Sequence, residues 1–221
     1  MASAGLKDFF SLRRAITAAA FLGLLAAMLL STTFVGGSDL SLRDADAQKE
    51  LSSKGFADEY YDSQIVPFVV ENAVDLVTLH EAIQADPDAA GEQYGNRDGD
   101  SAAYSVPTVF EATALTYEND LIKLEVDGVE LEGDVYLAAG PALNGTALRD
   151  VSGLVKFGAF TNQLEYQDAA TKLNDKVRGL VLSEFDPITE LEGKQLRITG
   201  AFSLFNVRNY IVMPVKIEVL Q

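Results

Sequence analysis

The spacing of hydrophobic positions changes twice along the chain and divides it into three parts. Residues 15–35 carry no charge and are long enough for a helix that crosses the roughly 30 Å hydrocarbon core of a membrane. Residues 65–85 have apolar side chains at the 3.6-residue period of an amphipathic helix. After residue 100, apolar and polar positions alternate with the period of two that is typical of strands. The pattern therefore predicts an apolar helix, a helical segment and a β domain, in that order.

The β domain is predicted to contain five strands and one helix. Asp127-Gly128 is a hairpin signal between the second and third strands, and helical spacing returns over residues 166–182. Five strands with a helix between the third and fourth are typical of a small Greek-key barrel of the oligonucleotide/oligosaccharide-binding (OB) type. We therefore predict an α+β protein with an N-terminal membrane-anchor helix, a helical segment and a five-stranded OB-like β-barrel. The predicted strands are residues 103–116, 121–126, 129–138, 195–202 and 210–220.

Charge assigns these parts to the two sides of a membrane. Residues 1–14 form a basic N-terminus with two arginines directly before the apolar run, whereas residues 36–100 form an acidic helical segment. The positive-inside rule then keeps residues 1–14 in the cytoplasm and makes residues 15–35 a single-pass transmembrane anchor. The acidic segment and the OB-like domain, residues 101–221, are exported to the periplasm or the cell exterior.

A cleaved signal peptide is the alternative to a retained anchor. The apolar run is longer than the usual apolar core of a signal peptide. A small-x-small cleavage pattern, Ala45-Asp46-Ala47, begins ten residues after the run. In both cases the rest of the protein works outside the cytoplasm.

Composition narrows the chemistry that the chain can perform. The absence of cysteine excludes disulfides, thiolate metal sites and cysteine nucleophiles. A net charge of −16 argues against nucleic acid as a partner, because that affinity comes mainly from Lys and Arg.

Any Ser-His-Asp mechanism would have to use the single histidine, His80, and no G-x-S-x-G motif accompanies it. The glycine of the Asn96–Asp100 loop is one place too early for an EF-hand, so the loop is interpreted as a solvated turn. We expect no metal and no cofactor.

Two segments carry candidate ligand-binding residues. Residues 144–150 combine a turn with an arginine beside an aspartate. The guanidinium of an arginine can bind carboxylates, phosphates or sugar hydroxyls. The alternative is an internal Arg–Asp pair that fixes the loop. Residues 160–163 place amides beside aromatic side chains, which suits a sugar, although Thr161 or Asn162 also suits the cap of the following helix. The candidate ligand-binding residues are Asn144, Arg149, Asp150, Asn162 and Gln163.

Acidic side chains raise the possibility of glycosidase chemistry. A glycosidase needs two carboxyl groups that face each other across a sugar. The acidic residues of the middle region mostly alternate along predicted strands or occupy turns, which favours a solvated face over a catalytic pair. These residues include Glu111, Glu118, Asp120, Glu125, Asp127, Glu130, Glu132 and Asp134.

Several motifs occur together in the order found in one bacterial family. They are Tyr61-Asp62-Ser63-Gln64-Ile65-Val66-Pro67, Glu71-Asn72-Ala73-Val74-Asp75-Leu76, Asp86-Pro87-Asp88-Ala89-Ala90-Gly91, Tyr94-Gly95, Asn144-Gly145-Thr146-Ala147-Leu148-Arg149-Asp150, Phe160-Thr161-Asn162-Gln163 and Gly200-Ala201-Phe202. On these motifs the chain resembles the bacterial family of predicted periplasmic lipoproteins of unknown function, which are often encoded beside ABC-type sugar-uptake genes. The resemblance implies a periplasm-type location, a helical segment followed by an OB-like barrel, and no established enzymatic activity.

One feature departs from this family. Its members usually carry a lipobox cysteine after the apolar run, whereas residues 33–37 contain none. An uncleaved helix over residues 15–35 is the natural substitute, because such a helix holds a protein in the membrane more firmly than one acyl chain does.

These observations predict a non-enzymatic, membrane-anchored extracytoplasmic protein that serves as a binding or accessory component of sugar or solute uptake. Its expected partners are the membrane, components of an ABC-type sugar-uptake system and a small sugar-like ligand, but not nucleic acid. Two alternatives stay open. One is a carbohydrate-active enzyme that uses a carboxylate pair, and the other is a structural module whose acidic helical layer docks on a basic surface.

Overall fold

The computed structural model describes residues 52–126 and 133–220, which all lie in one structural unit, Lys49–Gln221. The predicted N-terminal segment 1–14, the predicted anchor 15–35 and the Asp127-Gly128 turn lie outside the described residues, as does the first part of the acidic helical segment. Within the described ranges, no helix is both long enough and apolar enough to cross a membrane.

A helical layer precedes the main sheet. It consists of α1 Ser53–Tyr60, a π-helical turn Tyr61–Ile65, α2 Val66–Asn72, α3 Leu76–Ala85 and α4 Pro87–Tyr94. Ser52 starts α1, because its hydroxyl oxygen accepts the Gly55 amide over 3.0 Å. Asp86 caps α4 in the same way, and Pro87 occupies the first turn, where a missing N–H costs nothing.

Within residues 52–126 and 133–220, the sheet contains the five predicted strands and one further short strand. The strands are β1 Val74–Asp75, β2 Ser105–Glu118, β3 Leu121–Val126, β4 Asp134–Ala138, β5 Gln195–Ser203 and β6 Asn209–Val219. Between β4 and β5 lie α5 Ala147–Asp150 and α6 Gln163–Leu180, with 3₁₀ turns at Phe157–Ala159, Leu182–Glu184 and Ile188–Leu191. The α+β class and the helix between the third and fourth predicted strands agree with the sequence-based prediction.

The strand order is β1-β2-β3-β4-β6-β5, and β5 also pairs with β2. Strands β2 to β6 therefore form a closed circuit in which each strand pairs with two others, and β2 also pairs with β1. The β1–β2 and β4–β6 pairs are parallel, and the others are antiparallel. Alternate side chains of these strands, such as Ile122, Leu137 and Val212, are fully buried in the core.

The continuous helix predicted over residues 65–85 is wrong, because the chain is extended between α2 and α3. Ala73 has a ψ of 126°, and β1 follows it. The Thr108 hydroxyl donates to the Val74 carbonyl over 3.0 Å, which fixes this short parallel pairing on β2. Asp75 then caps α3 by accepting the Thr78 amide over 3.1 Å. Both helices still bury apolar residues, for example Val69 and Leu79, so the apolar positions follow the helical period on both sides of the break.

Candidate functional site

The five residues predicted to bind a ligand fall into two environments. Arg149 and Asp150 lie on α5 and are more than nine-tenths buried. Asn162 caps α6: its side-chain oxygen accepts the amides of residues 164 and 165 over 2.9 and 3.0 Å. Gln163, the first residue of α6, and Asn144, whose side chain donates to the Ala142 carbonyl over 3.2 Å, are exposed. The structure thus separates an internal pair from a helix cap and two exposed amides.

All three guanidinium nitrogens of Arg149 donate hydrogen bonds within the protein. Its Nε and Nη2 donate to the two carboxylate oxygens of Asp150 over 2.7 and 2.9 Å, a bidentate pair between adjacent residues. Nη1 donates to the Tyr166 carbonyl over 3.3 Å, and the guanidinium carbon lies 3.7 Å from the centre of the Tyr166 ring. These are the contacts of the internal pair that fixes a loop. Ligand binding by the five predicted residues stays a prediction, and at Arg149 it requires this pair to open.

Tyr166 joins the pair to Asp98, a residue that the sequence interpretation placed in a solvated turn. The Tyr166 hydroxyl donates to Asp98 Oδ2 over 2.8 Å and lies 3.3 Å from Asp150 Oδ1. Asp98 Oδ2 also accepts the Phe157 amide over 2.9 Å. We call Asp98, Arg149, Asp150 and Tyr166 the Asp98 cluster. It ties the loop before β2 to α5 and to the first turns of α6.

The contacts of the Asp98 cluster favour the charged form of the Asp98 carboxyl group. Burial alone would raise the pKa of Asp98, but the hydrogen bonds from Tyr166 and the Phe157 amide, with Lys156 nearby, leave that pKa below its ordinary value. Burial and the bond to Asp98 raise the pKa of Tyr166, which therefore stays protonated and acts as a donor.

Replacing Tyr166 by phenylalanine is expected to lower the free energy of unfolding by about 2 kcal/mol at pH 7, because a hydrogen bond to a carboxylate is lost. The folded-state pKa of Asp98 lies below its ordinary value of 3.8, so the stabilisation is present at neutral pH and is lost as the pH falls below about 4. The difference in the free energy of unfolding between wild type and variant, measured by urea unfolding, should therefore decrease as the pH is lowered from 7 to 3. Tyr136→Phe is the control, since that hydroxyl donates to the more exposed Asp134 over 3.2 Å. Equal losses in both variants would contradict the cluster.

A second candidate surface lies on the outer side of β3, β4 and β6. Lys123, Tyr136 and Ile211 are direct partners in the register of these three strands, so their side chains form one row. Lys123 Nζ lies 2.7 Å from Asp134 Oδ1, and this hydrogen bond lowers the pKa of Asp134. We call Lys123, Asp134, Tyr136 and Ile211 the β4 face. It is partly exposed and combines an ion pair with aromatic and aliphatic surface.

The loop between β5 and β6, residues 204–208, borders the β4 face. The Asp134 amide donates to the Arg208 carbonyl over 3.0 Å, so the start of β4 touches the end of the loop. A Cβ on Gly133, which has a φ of +149°, would lie 1.7 Å from that carbonyl oxygen, and only glycine fits there. Phe205 lies within the loop and is 79% exposed, although it is a large aromatic residue. The sequence interpretation treated this loop only as a connection; an aromatic residue in a polar turn was the signal that could have drawn attention to it.

The carboxylates considered for glycosidase chemistry are dispersed. Glu111 pairs with Arg197 across β2 and β5, and Asp120 accepts the Tyr117 hydroxyl over 3.2 Å. Asp134 belongs to the β4 face, and Glu118 and Glu125 are exposed. The other three, Asp127, Glu130 and Glu132, lie outside the described residues. In residues 52–126 and 133–220, no group of three His, Cys, Asp or Glu side chains is arranged to hold a metal ion.

The fold is similar to the crystal structure of an OB-fold protein from Thermotoga maritima, with a TM-score of 0.63. The two chains are 18% identical, and the match covers 78% of this chain and 100% of the other. A likeness at this identity shows the fold alone. No curated protein matches the chain. A family model described as "Predicted periplasmic lipoprotein (DUF2291)" matches residues 22–218. The chain therefore belongs to this family of predicted periplasmic lipoproteins of unknown function, whose description implies a membrane-anchored, extracytoplasmic protein.

Proposed function

We propose that the protein is a non-enzymatic binding component of sugar or solute uptake. In this proposal a helix over residues 15–35 anchors it in a single pass, and an OB-like barrel outside the cytoplasm recognises a small sugar-like ligand and contacts components of an ABC-type uptake system. The observation that carries the proposal is the β4 face beside the exposed Phe205. The β4 face is partly exposed and Phe205 is exposed, whereas Arg149 is buried.

The position of this surface supports a carbohydrate ligand. OB folds bind oligosaccharides and oligonucleotides on their second and third strands and on the loops that border them. Here those strands are β3 and β4, and the bordering loop, residues 204–208, joins the fourth and fifth barrel strands. The net charge of −16 disfavours an oligonucleotide. Aromatic rings such as Phe205 and Tyr136 offer stacking area to a sugar, while the Lys123–Asp134 pair offers donors and acceptors to its hydroxyls.

The electrostatics support binding over catalysis. A glycosidase acid must be protonated near neutral pH, so its pKa has to be raised. In the described part of the chain, each carboxyl group with a shifted pKa is shifted downward: Asp58 by Lys176, Asp134 by Lys123, and Asp98 by its hydrogen bonds in spite of burial. These groups are carboxylates at neutral pH and suit hydrogen-bond acceptance from a ligand.

Removing the Phe205 ring is expected to weaken sugar binding roughly three- to tenfold, the loss of one aromatic contact. The measurement is calorimetric titration of wild type and Phe205→Ala with the best ligand from a thermal-shift panel of neutral sugars and their acids. Leu164→Ala is the matched control, because Leu164 is 76% exposed and lies on α6 rather than at the β4 face. The proposal fails when no sugar in the panel shifts the melting temperature, or when both variants lose affinity equally.

A further inference from the structure

We infer that His80 is a positioning residue for the loop of residues 204–208, which it holds through Tyr210, and so sets where the Phe205 ring stands. The role of this loop in ligand recognition rests on the proposed function. The mechanical link from His80 to the loop rests on the contacts alone. The link also connects the helical layer to the sheet, because His80 lies on α3 and the loop joins β5 to β6.

The link begins with a buried pair of rings. His80 is 8% exposed and Tyr210, at the start of β6, is 1% exposed. His80 Nδ1 lies 2.8 Å from the Tyr210 hydroxyl oxygen, and the ring centres are 5.8 Å apart. The same hydroxyl donates to the Val207 carbonyl over 3.0 Å. Because a tyrosine hydroxyl has one hydrogen, which goes to Val207, the hydrogen between His80 and Tyr210 has to come from Nδ1. This network assigns an Nδ1–H donor to His80.

A second residue of α3 holds the same point of the loop. Gln84 Nε2 donates to the Val207 carbonyl over 2.6 Å. Gln84 follows His80 by four residues, so both side chains lie on one face of the helix. The carbonyl has two lone pairs, and the two donors use both of them. One helix face thus fixes the loop at Val207, two residues after Phe205.

Further backbone contacts place Phe205 between fixed points, and the Phe205 amide itself donates to the Ser203 carbonyl over 2.9 Å. The Leu204 amide donates to the Tyr104 carbonyl over 2.7 Å, and the Arg208 carbonyl accepts the Asp134 amide over 3.0 Å. Both ends of the loop are therefore tied to neighbouring segments. Val207 is the interior tie, and it depends on Tyr210 and Gln84. Releasing this tie should free the exposed ring without unfolding the strands on either side.

A single fluorescent reporter tests this link, because the chain contains no tryptophan. Phe205→Trp places the reporter in the exposed loop position. Its fluorescence anisotropy and acrylamide quenching are measured in three backgrounds: His80, His80→Leu and His80→Asn. We expect His80→Leu to lower the anisotropy and increase the quenching, since the loop gains nanosecond motion. His80→Asn should restore both values in large part, because its side-chain amide can donate to Tyr210 from a similar position.

Two further variants separate positioning from a packing role. Tyr210→Phe should change the reporter as His80→Leu does, and combining the two should add little, since both act through one hydroxyl. Ile83→Val is the packing control: it trims a fully buried side chain of α3 and should lower the denaturation midpoint without altering the reporter. The inference is overturned when His80→Leu and Tyr210→Phe behave like Ile83→Val. Tyr210→Phe carries the test alone where His80→Leu does not fold.

The outcome is independent of the sugar-binding experiment. If the fluorescence of the Phe205→Trp reporter responds to the His80 substitutions but the protein binds no sugar, the link between His80 and the loop is supported and the proposed function is rejected. Sugar binding weakened by Phe205→Ala, with a reporter insensitive to His80, supports the proposed function and removes the link.

Discussion

Arg149→Ala is expected to lower the free energy of unfolding by about 3–5 kcal/mol, the cost of leaving one partner of a buried ion pair without its counter-charge. The side chains of Arg149 and Asp150 are only 8% and 6% exposed. The Tyr166 hydroxyl, 3.3 Å from Asp150 Oδ1, gives little compensation, because its single hydrogen is donated to Asp98 over 2.8 Å. Urea unfolding at pH 7, followed by far-UV circular dichroism, measures the loss.

A matched surface pair and a double variant show whether burial is the cause. Arg197 pairs with Glu111 with side chains 50% and 38% exposed, so Arg197→Ala should cost only about 0.2–1 kcal/mol. Replacing both members of the buried pair, as Arg149→Met with Asp150→Leu, should cost less than Arg149→Ala alone, because no uncompensated charge remains. A loss in Arg149→Ala as small as that in Arg197→Ala would mean that the pair is solvated.

The same variant distinguishes the two interpretations of the 144–150 segment. A ligand-binding Arg149 predicts lost affinity with little change in stability. An internal pair predicts lost stability with little change in the affinity of the molecules that remain folded. The contacts in the structure favour the second result, since the guanidinium meets a carboxylate, a carbonyl and an aromatic ring within its own chain.

The sequence could indicate this pair but not the cluster around it. Arg149 and Asp150 are adjacent, so their pairing is one of two interpretations that the local pattern allows. Asp98 and Tyr166 are 68 residues apart, and neither residue carries a local sign of the other. Their hydrogen bond depends on how the loop before β2 packs against α6. Long-range packing of this kind is set by the whole fold, not by the spacing of nearby residues.

In the helical layer, too, the sequence predicted local structure but not a long-range contact. The period of apolar residues correctly indicated helices over most of residues 65–85, because both helices bury one face. It missed β1, since two residues that pair with a strand more than thirty positions later leave no periodic trace. The positions of the later strands along the chain were predictable because each strand buries alternate side chains, and that alternation is local.

Gly200→Ala is expected to lower the free energy of unfolding by about 3 kcal/mol, at the upper end of overpacking in a core. A Cβ at this position of β5 would lie 2.4 Å from the Met213 carbonyl oxygen and 2.8 Å from a Val212 methyl carbon. The pairing of β5 with β6 shifts register between Thr199 and Gly200, and the buried Pro214 faces Gly200 there. Glycine and proline are typical of such bulges, where two backbones approach closely.

At a glycine with open surroundings, substitution by alanine should raise the free energy of unfolding instead of lowering it. Gly179 lies in α6, and a Cβ added there would have no neighbouring residue within 4 Å, so Gly179→Ala should stabilise the protein by about 0.5–1 kcal/mol through helix propensity. Adding Val212→Ala to Gly200→Ala should increase the loss instead of relieving it. The closer obstacle is a backbone oxygen that no side-chain change removes, and truncating the fully buried Val212 leaves a cavity. Denaturation midpoints of the four proteins measure this. A Gly200→Ala variant as stable as wild type would show that β5 and β6 are further apart at the bulge, and the Gly200-Ala201-Phe202 motif would then lack a packing reason for its glycine.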